Sequence, residues 1–126
     1  MRNNIIAISL FLALLIFVYF SNKSLINLCD SLIEGSNQIE ILLDEKDFES
    51  AQNKSQEMIK LINDKAVITA IYINHADFDC FFEEASELYI YTKCKDYTES
   101  LVAVNSLKEL ANNIKHLLSP TIENIF

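Results

Sequence analysis

The chain has 126 residues, is 51% hydrophobic and carries a formal net charge of −8. The length suits one small domain, and the negative charge argues against nucleic acid as a partner because it repels phosphate backbones. Gly35 and Pro120 are its one glycine and one proline. Because turns between strands favour these residue types, the composition predicts an all-α protein with short connections.

An uncharged apolar segment, Ile5–Phe20, follows Arg2 near the N-terminus. As a helix its 16 residues would be roughly 24 Å long, so crossing a hydrocarbon core of about 30 Å needs some thinning of the bilayer. The sequence after it offers no small-x-small site for signal peptidase. We therefore predict an uncleaved signal-anchor in residues 1–22 and an acidic helical bundle domain in residues 23–126.

Basic residues near the segment indicate which side of the membrane holds the bundle. Arg2 and the α-amino group precede the segment, and Lys23 follows it. The positive-inside rule then favours a cytoplasmic N-terminus. Arg2 is the sole charged side chain in residues 1–20, so residues 21–126 carry −9. We expect a single-pass protein of the cell membrane with the bulk of its chain extracytoplasmic.

The anchor helix is predicted to continue outward as a stalk, because apolar residues keep a three–four spacing beyond the membrane segment. These residues are Leu25, Leu28, Leu32, Ile39 and Leu42. Gly35 leaves a gap in this apolar seam. It either kinks the helix or lets another helix approach closely, and we expect the kink.

Three later helix starts share one pattern, a capping residue followed three residues later by an acid. The pairs are Asp44 with Asp47, Asn74 with Asp77, and Asp96 with Glu99. Leu43 with Phe48, and Ile73 with Phe78, are placed as hydrophobic staples. The starts divide the body into helices near residues 21–43, 45–72, 75–94 and 97–118. Together they predict an N-terminal transmembrane helix continuing into an antiparallel up-and-down bundle of about four helices.

Two details concern the second of these helices. Residues 66–73, AVITAIYI, are rich in β-branched residues, which favour strands. We predict a helix buried on more than one side, because no Gly or Pro flanks the run. The octapeptides DEKDFESA and KCKDYTES lie 49 residues apart and look alike. Shared capping chemistry explains the likeness, and two tandem hairpins are the alternative.

The third helix carries a core face and, beside it, a stripe of residue types that bind metal ions. The face holds Phe78, Phe81, Phe82, Ala85, Leu88, Tyr89 and Thr92. The stripe holds His75, Asp79 and Glu83, a set that suits a divalent cation. A zinc site usually needs three or four converging ligands, and no further ligand is identifiable. We therefore expect no bound metal, no cofactor and no catalytic residue. The stripe is the candidate site for the alternative in which a metal is bound.

The three cysteines differ in predicted environment. Cys29 lies near the stalk's apolar seam and is expected in the core. Cys80 and Cys94 fall on the solvent side of the third helix. They are 14 residues apart, roughly 21 Å along a helix, too far for a disulfide to join them. An intermolecular disulfide through either of them stays open.

The fourth helix keeps the three–four rhythm and ends before Pro120. Its stripe comprises Leu101, Val104, Lys108, Ala111, Ile114 and Leu118, widened by Leu107, Leu110 and Leu117. The tail after it ends in Ile125 and Phe126, two large apolar residues. We expect this tail to dock on the bundle.

Short motifs along nearly the whole chain resemble a known family. They are the charged start with Ile5–Phe20, Asp47-Phe48, Ile73-Asn74-His75 with Asp79, and the ending Asn124-Ile125-Phe126. The chain resembles domain of unknown function family 4363. The resemblance implies a small membrane-anchored protein of anaerobic spore-forming Firmicutes, and it brings no known activity, cofactor or substrate. The chain departs from its relatives in having no Trp.

These observations favour a non-catalytic envelope protein that acts as an extracytoplasmic interaction or accessory module. Its expected partners are the lipid bilayer, through Ile5–Phe20, and another membrane or envelope protein, with a homodimer left open. One alternative is a sensor-like ectodomain that binds a small ligand and acts through a membrane partner. The other alternative is a metal-binding protein that uses His75, Asp79 and Glu83.

Overall fold

A computed structural model describes residues 1–72 and 75–118, apart from the side chains of Ile68, Ile71, Tyr72 and His75. The helices are α1 (Arg2–Asp44), α2 (Phe48–Asp64), α3 (Ala66–Tyr72), α4 (His75–Lys93) and α5 (Tyr97–Leu118). Every element in these described ranges is helical, so the all-α prediction is confirmed. The predicted cap Asn74, the staple residue Ile73 and the apolar tail lie outside the described residues.

Four of the helices form an antiparallel bundle. α1 packs against α2 and α5, and α4 packs against the same two helices. Side-chain contacts fix the direction of α5 relative to α1. Asn22, early in α1, donates from Nδ2 to the carbonyl of Leu118 at 3.2 Å, and the Tyr97 hydroxyl donates to Asp44 Oδ1 at 2.9 Å. The predicted up-and-down bundle, with a long apolar first helix, is confirmed.

The predicted seams on α1, α4 and α5 form the core of this bundle. Its largest fully buried side chains include Leu25, Leu32, Ile39, Phe81, Leu88 and Leu107. Two predicted core residues are wrong. Phe82 is 39% exposed and Leu117 is 78% exposed.

α1 runs without a break through Gly35, and this residue is buried. A Cβ placed on Gly35 would lie 3.0 Å from Met58 Sδ, so the thioether of α2 occupies the space that a side chain would need. The absence of a side chain therefore admits α2 at close range. The structure therefore shows the alternative to the expected kink at Gly35, a close approach of a second helix.

The N-terminal part of α1 extends away from the bundle. Residues 1–20 are all exposed, whereas burial begins at Ser21. Within the part of the chain that the structure describes, α1 is the one helix long and apolar enough to cross a membrane.

The connections at residues 45–47 and 94–96 have the same backbone geometry. In the first, called the Lys46 turn, Lys46 adopts a left-handed φ of 61°. Its amide donates to the Leu43 carbonyl at 3.0 Å, and the Asp47 amide donates to the Leu42 carbonyl at 2.9 Å. In the second, the Lys95 turn, φ of Lys95 is 59° and the same two bonds recur. Both are Schellman motifs, which satisfy the last carbonyls of a helix.

Each turn leads directly into an N-cap. Asp47 Oδ1 accepts a hydrogen bond from the Ser50 amide at 3.1 Å, and Asp96 Oδ1 accepts one from the Glu99 amide at 3.0 Å. The cap at Asp96 is therefore confirmed. The predicted cap at Asp44 is wrong, because α1 extends to that residue and the Lys46 turn follows it.

The predicted single helix over residues 45–72 is two helices that meet at Lys65. On α3, Thr69 is buried and its hydroxyl donates to the Lys65 carbonyl at 2.6 Å. Val67 is 78% exposed. The prediction that this run is buried on more than one side is therefore wrong at Val67.

Candidate functional site

The end of the bundle that adjoins the apolar segment is fixed by two contacts with α1. Asn22 bonds the carbonyl of Leu118, and Lys65 Nζ donates to Ser24 Oγ at 3.0 Å. The ends of α2 and α5 therefore lie beside the α1 turn that follows the apolar segment. We call this region, with residues 21–24, 64–67 and 115–118, the proximal end.

The opposite, distal end contains both Schellman turns, which are linked through one aromatic side chain. The Tyr97 hydroxyl donates to Asp44, and Lys46 Nζ lies 3.6 Å from the centroid of the Tyr97 ring. The hydrogen bond to Asp44 is the main cause that raises the pKa of Tyr97, with burial and the charge of Asp44 adding to it. A cation over a ring face is an attractive geometry. These contacts join the α1–α2 connection to the start of α5.

The predicted metal stripe is on the surface of α4. Asp79 and Glu83 are both exposed, and the side chain of His75 lies outside the description. Among the described residues, no three His, Cys, Asp or Glu side chains converge as metal ligands would. The metal hypothesis therefore stays a prediction, which metal analysis of protein purified without chelator would test.

Carboxylates are concentrated on the same helix. Glu84 lies between Glu83 and Glu87 on α4, and its pKa is raised first by burial, then by repulsion from Glu87 and from Glu83. Repulsion of this kind favours a proton or a cation at the cluster. The sequence analysis singled out Glu83, as part of the metal stripe, but not Glu84 or Glu87.

The three thiols occupy the environments that the helical pattern predicts. Cys29 is fully buried, whereas Cys80 and Cys94 are exposed, and none of the three is in a disulfide within the chain. Burial raises the pKa of Cys29 to about 11, with a smaller contribution from Asp30. Since the thiolate is the reactive form, Cys29 is protected by both its position and its pKa.

A groove of about 350 Å³ lies between α1 and α2 above Gly35 and Met58. Its rim is polar and includes Ser31, Glu34, Gln38, Lys54 and Glu57. Lys54 Nζ and Glu57 Oε2 form an exposed ion pair at 3.3 Å. Gly35 lines the groove, and this lone glycine in the apolar seam was the sequence signal that could have indicated a site here.

The fold and these sites define an antiparallel helical-bundle protein with an exposed apolar extension of its first helix. The profile of the domain of unknown function family DUF4363 matches residues 19–125, and the chain belongs to this family. No curated protein and no solved structure matched the chain. The family assignment carries no activity.

Proposed function

We propose that the protein is a single-pass membrane protein whose acidic bundle acts outside the cytoplasm as a non-catalytic interaction or accessory module. The single observation that carries the proposal is the continuity of α1. One uninterrupted helix provides both an exposed apolar segment and the first element of the bundle core. The corresponding division of the chain is an anchor in residues 1–22 and a bundle in residues 23–126.

The apolar segment supports the anchor. Its large apolar side chains, from Ile5 to Phe20, are 42% to 67% exposed. A continuous apolar surface of this extent is unfavourable in water, and hydrocarbon would cover it. A helix satisfies its own backbone hydrogen bonds, which is the condition for crossing a bilayer.

The distribution of charge supports the sidedness. Arg2 and the α-amino group precede the apolar segment, whereas Lys23 is the one basic residue close behind it. Basic residues favour the cytoplasmic side, which leaves the bundle outside.

The placement of reactive side chains supports a binding role rather than catalysis. Asp79, Cys80, Glu83 and Cys94 are each exposed on the surface of α4 or the Lys95 turn. Catalysis needs such groups gathered where water is excluded and geometry is fixed. A solvated acidic surface is better suited to contact another envelope protein.

Thiol labelling of intact cells tests the sidedness. A membrane-impermeant maleimide should label Cys80 and Cys94, while Cys29 should react only after denaturation. The variants Cys80→Ser and Cys94→Ser assign each signal, and Cys29 is the internal control for folding. Labelling of Cys80 and Cys94 only after cell lysis would show that the bundle is cytoplasmic.

Alkaline extraction of membranes tests the anchor. The wild-type chain should stay in the membrane pellet. Leu12→Arg, at the centre of the apolar segment, places a charge in hydrocarbon at a cost of about 3 kcal/mol and should release part of the protein. Asn4→Arg adds the same charge at the edge of the segment and should not. Complete release of the wild type would contradict the anchor.

The groove above Gly35 favours a second candidate, a sensor-like ectodomain that binds a small polar ligand and acts through a membrane partner. Its polar rim on two helices would let a ligand bridge α1 and α2. A thermal-shift screen with a metabolite panel tests this function. A stabilising compound should lose its effect on Ser31→Trp, which fills the exposed rim, whereas a panel without any stabilising compound would contradict the candidate.

A further inference from the structure

We propose that the proximal end of the bundle rests on the headgroup layer of the bilayer, with its basic side chains facing anionic lipid headgroups. The inference deepens the proposed function and rests on the anchor. Its observations are the position, the exposure and the charge of side chains at this end.

The position follows from the two contacts that fix the proximal end. Val67 is two residues beyond Lys65, which bonds Ser24, and Leu117 precedes Leu118, whose carbonyl bonds Asn22. Ser24 is four residues beyond Phe20, which corresponds to roughly 6 Å along the helix axis. The headgroup layer extends about 5 to 7 Å beyond the hydrocarbon on each side. Val67 and Leu117 are therefore placed at the height of this layer.

The exposure of these two residues is unusual for this bundle. Val67 and Leu117 are each 78% exposed, while the other exposed large apolar side chains described beyond residue 20 range from 39% to 59%. Scattered apolar residues on a protein surface need no explanation. Here the two most exposed ones share the one end of the bundle that adjoins the apolar segment. A lipid surface would bury both side chains.

The proximal end is also less acidic than the distal end. Lys23 and His116 are exposed at the proximal end, and Lys65 is half-buried. The carboxylates at this end are Asp64 and, at the start of α4, Asp77 and Asp79, because the antiparallel packing of α4 on α5 places that start beside the end of α5. Lys115 is paired with Asp30 at 2.6 Å. The distal end holds six carboxylates against three lysines, namely Asp44, Glu45, Asp47, Glu49, Asp96 and Glu99 against Lys46, Lys93 and Lys95. An anionic leaflet attracts basic side chains near its surface and repels carboxylates.

The rival occupant of this surface is the chain's own apolar tail in residues 119–126, which follows Leu118 directly. A tail that packed on Val67 and Leu117 would shield them from water without any lipid. The experiment must therefore distinguish lipid from protein as the covering group.

Fluorescence quenching in lipid nanodiscs makes this distinction on the full-length chain. In a Cys80→Ser/Cys94→Ser background, a small polarity-sensitive fluorophore is attached to Val67→Cys or to Leu117→Cys. The matched control is Ile41→Cys. Ile41 is 59% exposed and lies near the distal end of α1, the helix that also contains the apolar segment. A fourth probe, Phe17→Cys, reports on the anchor. The discs contain phosphatidylcholine, with or without phosphatidylglycerol, and trace lipids with quenchers in the headgroup region or in the acyl chains.

We expect headgroup quenchers to act several-fold more strongly on the Val67 and Leu117 probes than on the Ile41 probe. Phosphatidylglycerol should strengthen this effect, and Lys23→Glu with Lys65→Glu should abolish the strengthening. Quenching of Phe17 by acyl-chain quenchers, without quenching at Val67 and Leu117, would overturn the docking and leave the anchor intact. A blue shift at Val67 without lipid quenching would assign the surface to the tail, and would also overturn the proposal. An unquenched Phe17 probe would refute the anchor itself.

Discussion

The Lys46 turn and the Lys95 turn have the same backbone but different side-chain environments. Each has a lysine with positive φ, a Schellman pair of hydrogen bonds and an aspartate cap. The Asp47 cap is partly buried, whereas the Asp96 cap is exposed. Four residues after each cap, the buried positions are Ala51 and Ser100. The comparison shows that local hydrogen bonding specifies the backbone of each turn. The stability of each turn depends on how deeply its side chains are buried and what they contact.

The largest expected difference concerns the buried positions after the caps. In the described part of the chain, the Ser100 hydroxyl is buried without a hydrogen-bond partner. An unsatisfied buried polar group costs about 1 to 3 kcal/mol, so Ser100→Ala should raise the free energy of unfolding by about that amount. Chemical denaturation of the two proteins would measure the difference.

Ala51→Ser is the matched control in the Lys46 turn. It places a hydroxyl at the equivalent buried position and should destabilise the bundle. A Ser100→Ala protein less stable than the wild type would show that the hydroxyl finds a partner, and would remove this difference between the turns.

The caps should give the next largest effect. Asp47→Ala and Asp96→Ala each remove a side chain that accepts a helix N-terminal amide, and such losses cost about 1 kcal/mol. Asp47→Ala should cost more because its hydrogen bond is partly buried. Asn at either position keeps the acceptor and should retain most of the stability. Equal losses in urea denaturation would mean that burial does not distinguish the two caps.

The positive-φ lysines allow a finer test. A non-glycine residue in the left-handed region pays about 1 kcal/mol, which glycine avoids, although its greater freedom in the unfolded chain offsets about half of the gain. Lys95→Gly should therefore stabilise the bundle slightly. Lys46→Gly should gain less, because it also removes the cation over the Tyr97 ring. Melting temperatures that rise equally in both variants would indicate that this contact contributes nothing.

The smallest expected effect depends on pH. The fold raises the pKa of Tyr97 above its ordinary value of 10.0, mainly through the hydrogen bond to Asp44. A raised pKa means that the folded state favours the neutral phenol. Its contribution is therefore complete below pH 10 and is lost as pH rises through the folded pKa. Tyr97→Phe should be less stable than the wild type at neutral pH, and the gap should narrow above pH 10.

Phe48 occupies the position in the Lys46 turn that Tyr97 occupies in the Lys95 turn, and it does not titrate. Tyr97→Phe thus makes the two turns alike at this position. A stability gap that stays constant across the alkaline range would show that the Tyr97–Asp44 bond does not contribute in solution.

Hydrophobic periodicity predicted the bundle well, because a helix can enter a shared core only with a stripe at three–four spacing. The seam through Leu25, Leu32 and Ile39 and the stripe through Val104 and Ala111 are both buried. The assignments of Cys29, Cys80 and Cys94 followed from the same periodicity.

The register of the first turn was not predicted from the capping pattern. Asp44 and Asp47 are both suitable caps by residue type, and a lysine gives no sequence signal for positive φ, whereas a glycine would have. The likeness of DEKDFESA to KCKDYTES held the missing information. Aligning Lys46-Asp47 with Lys95-Asp96 places the first cap at Asp47, as the structure has it.

The exposed ends of α3 and α5 also escaped prediction, for a different reason. An amphipathic pattern assigns every apolar residue to the protein core, so Val67 and Leu117 were placed inside. Which apolar residues stay exposed depends on where each helix ends relative to the apolar segment of α1. The position of each helix end relative to that segment is part of the tertiary structure. It becomes visible only once Lys65 and Leu118 are known to lie beside residues 22–24.

The unbroken course of α1 couples the apolar segment mechanically to the bundle. The helix is 43 residues long, roughly 65 Å, and has no hinge between its apolar segment and its core seam. Helical phase therefore sets the azimuth of the bundle about the axis of the apolar segment. One residue inserted after Phe20 would swing the whole bundle by about 100°, and seven would restore its azimuth while lifting it about 10 Å. If the apolar segment spans a bilayer as proposed, a torque on it would be transmitted directly to the surface of the bundle.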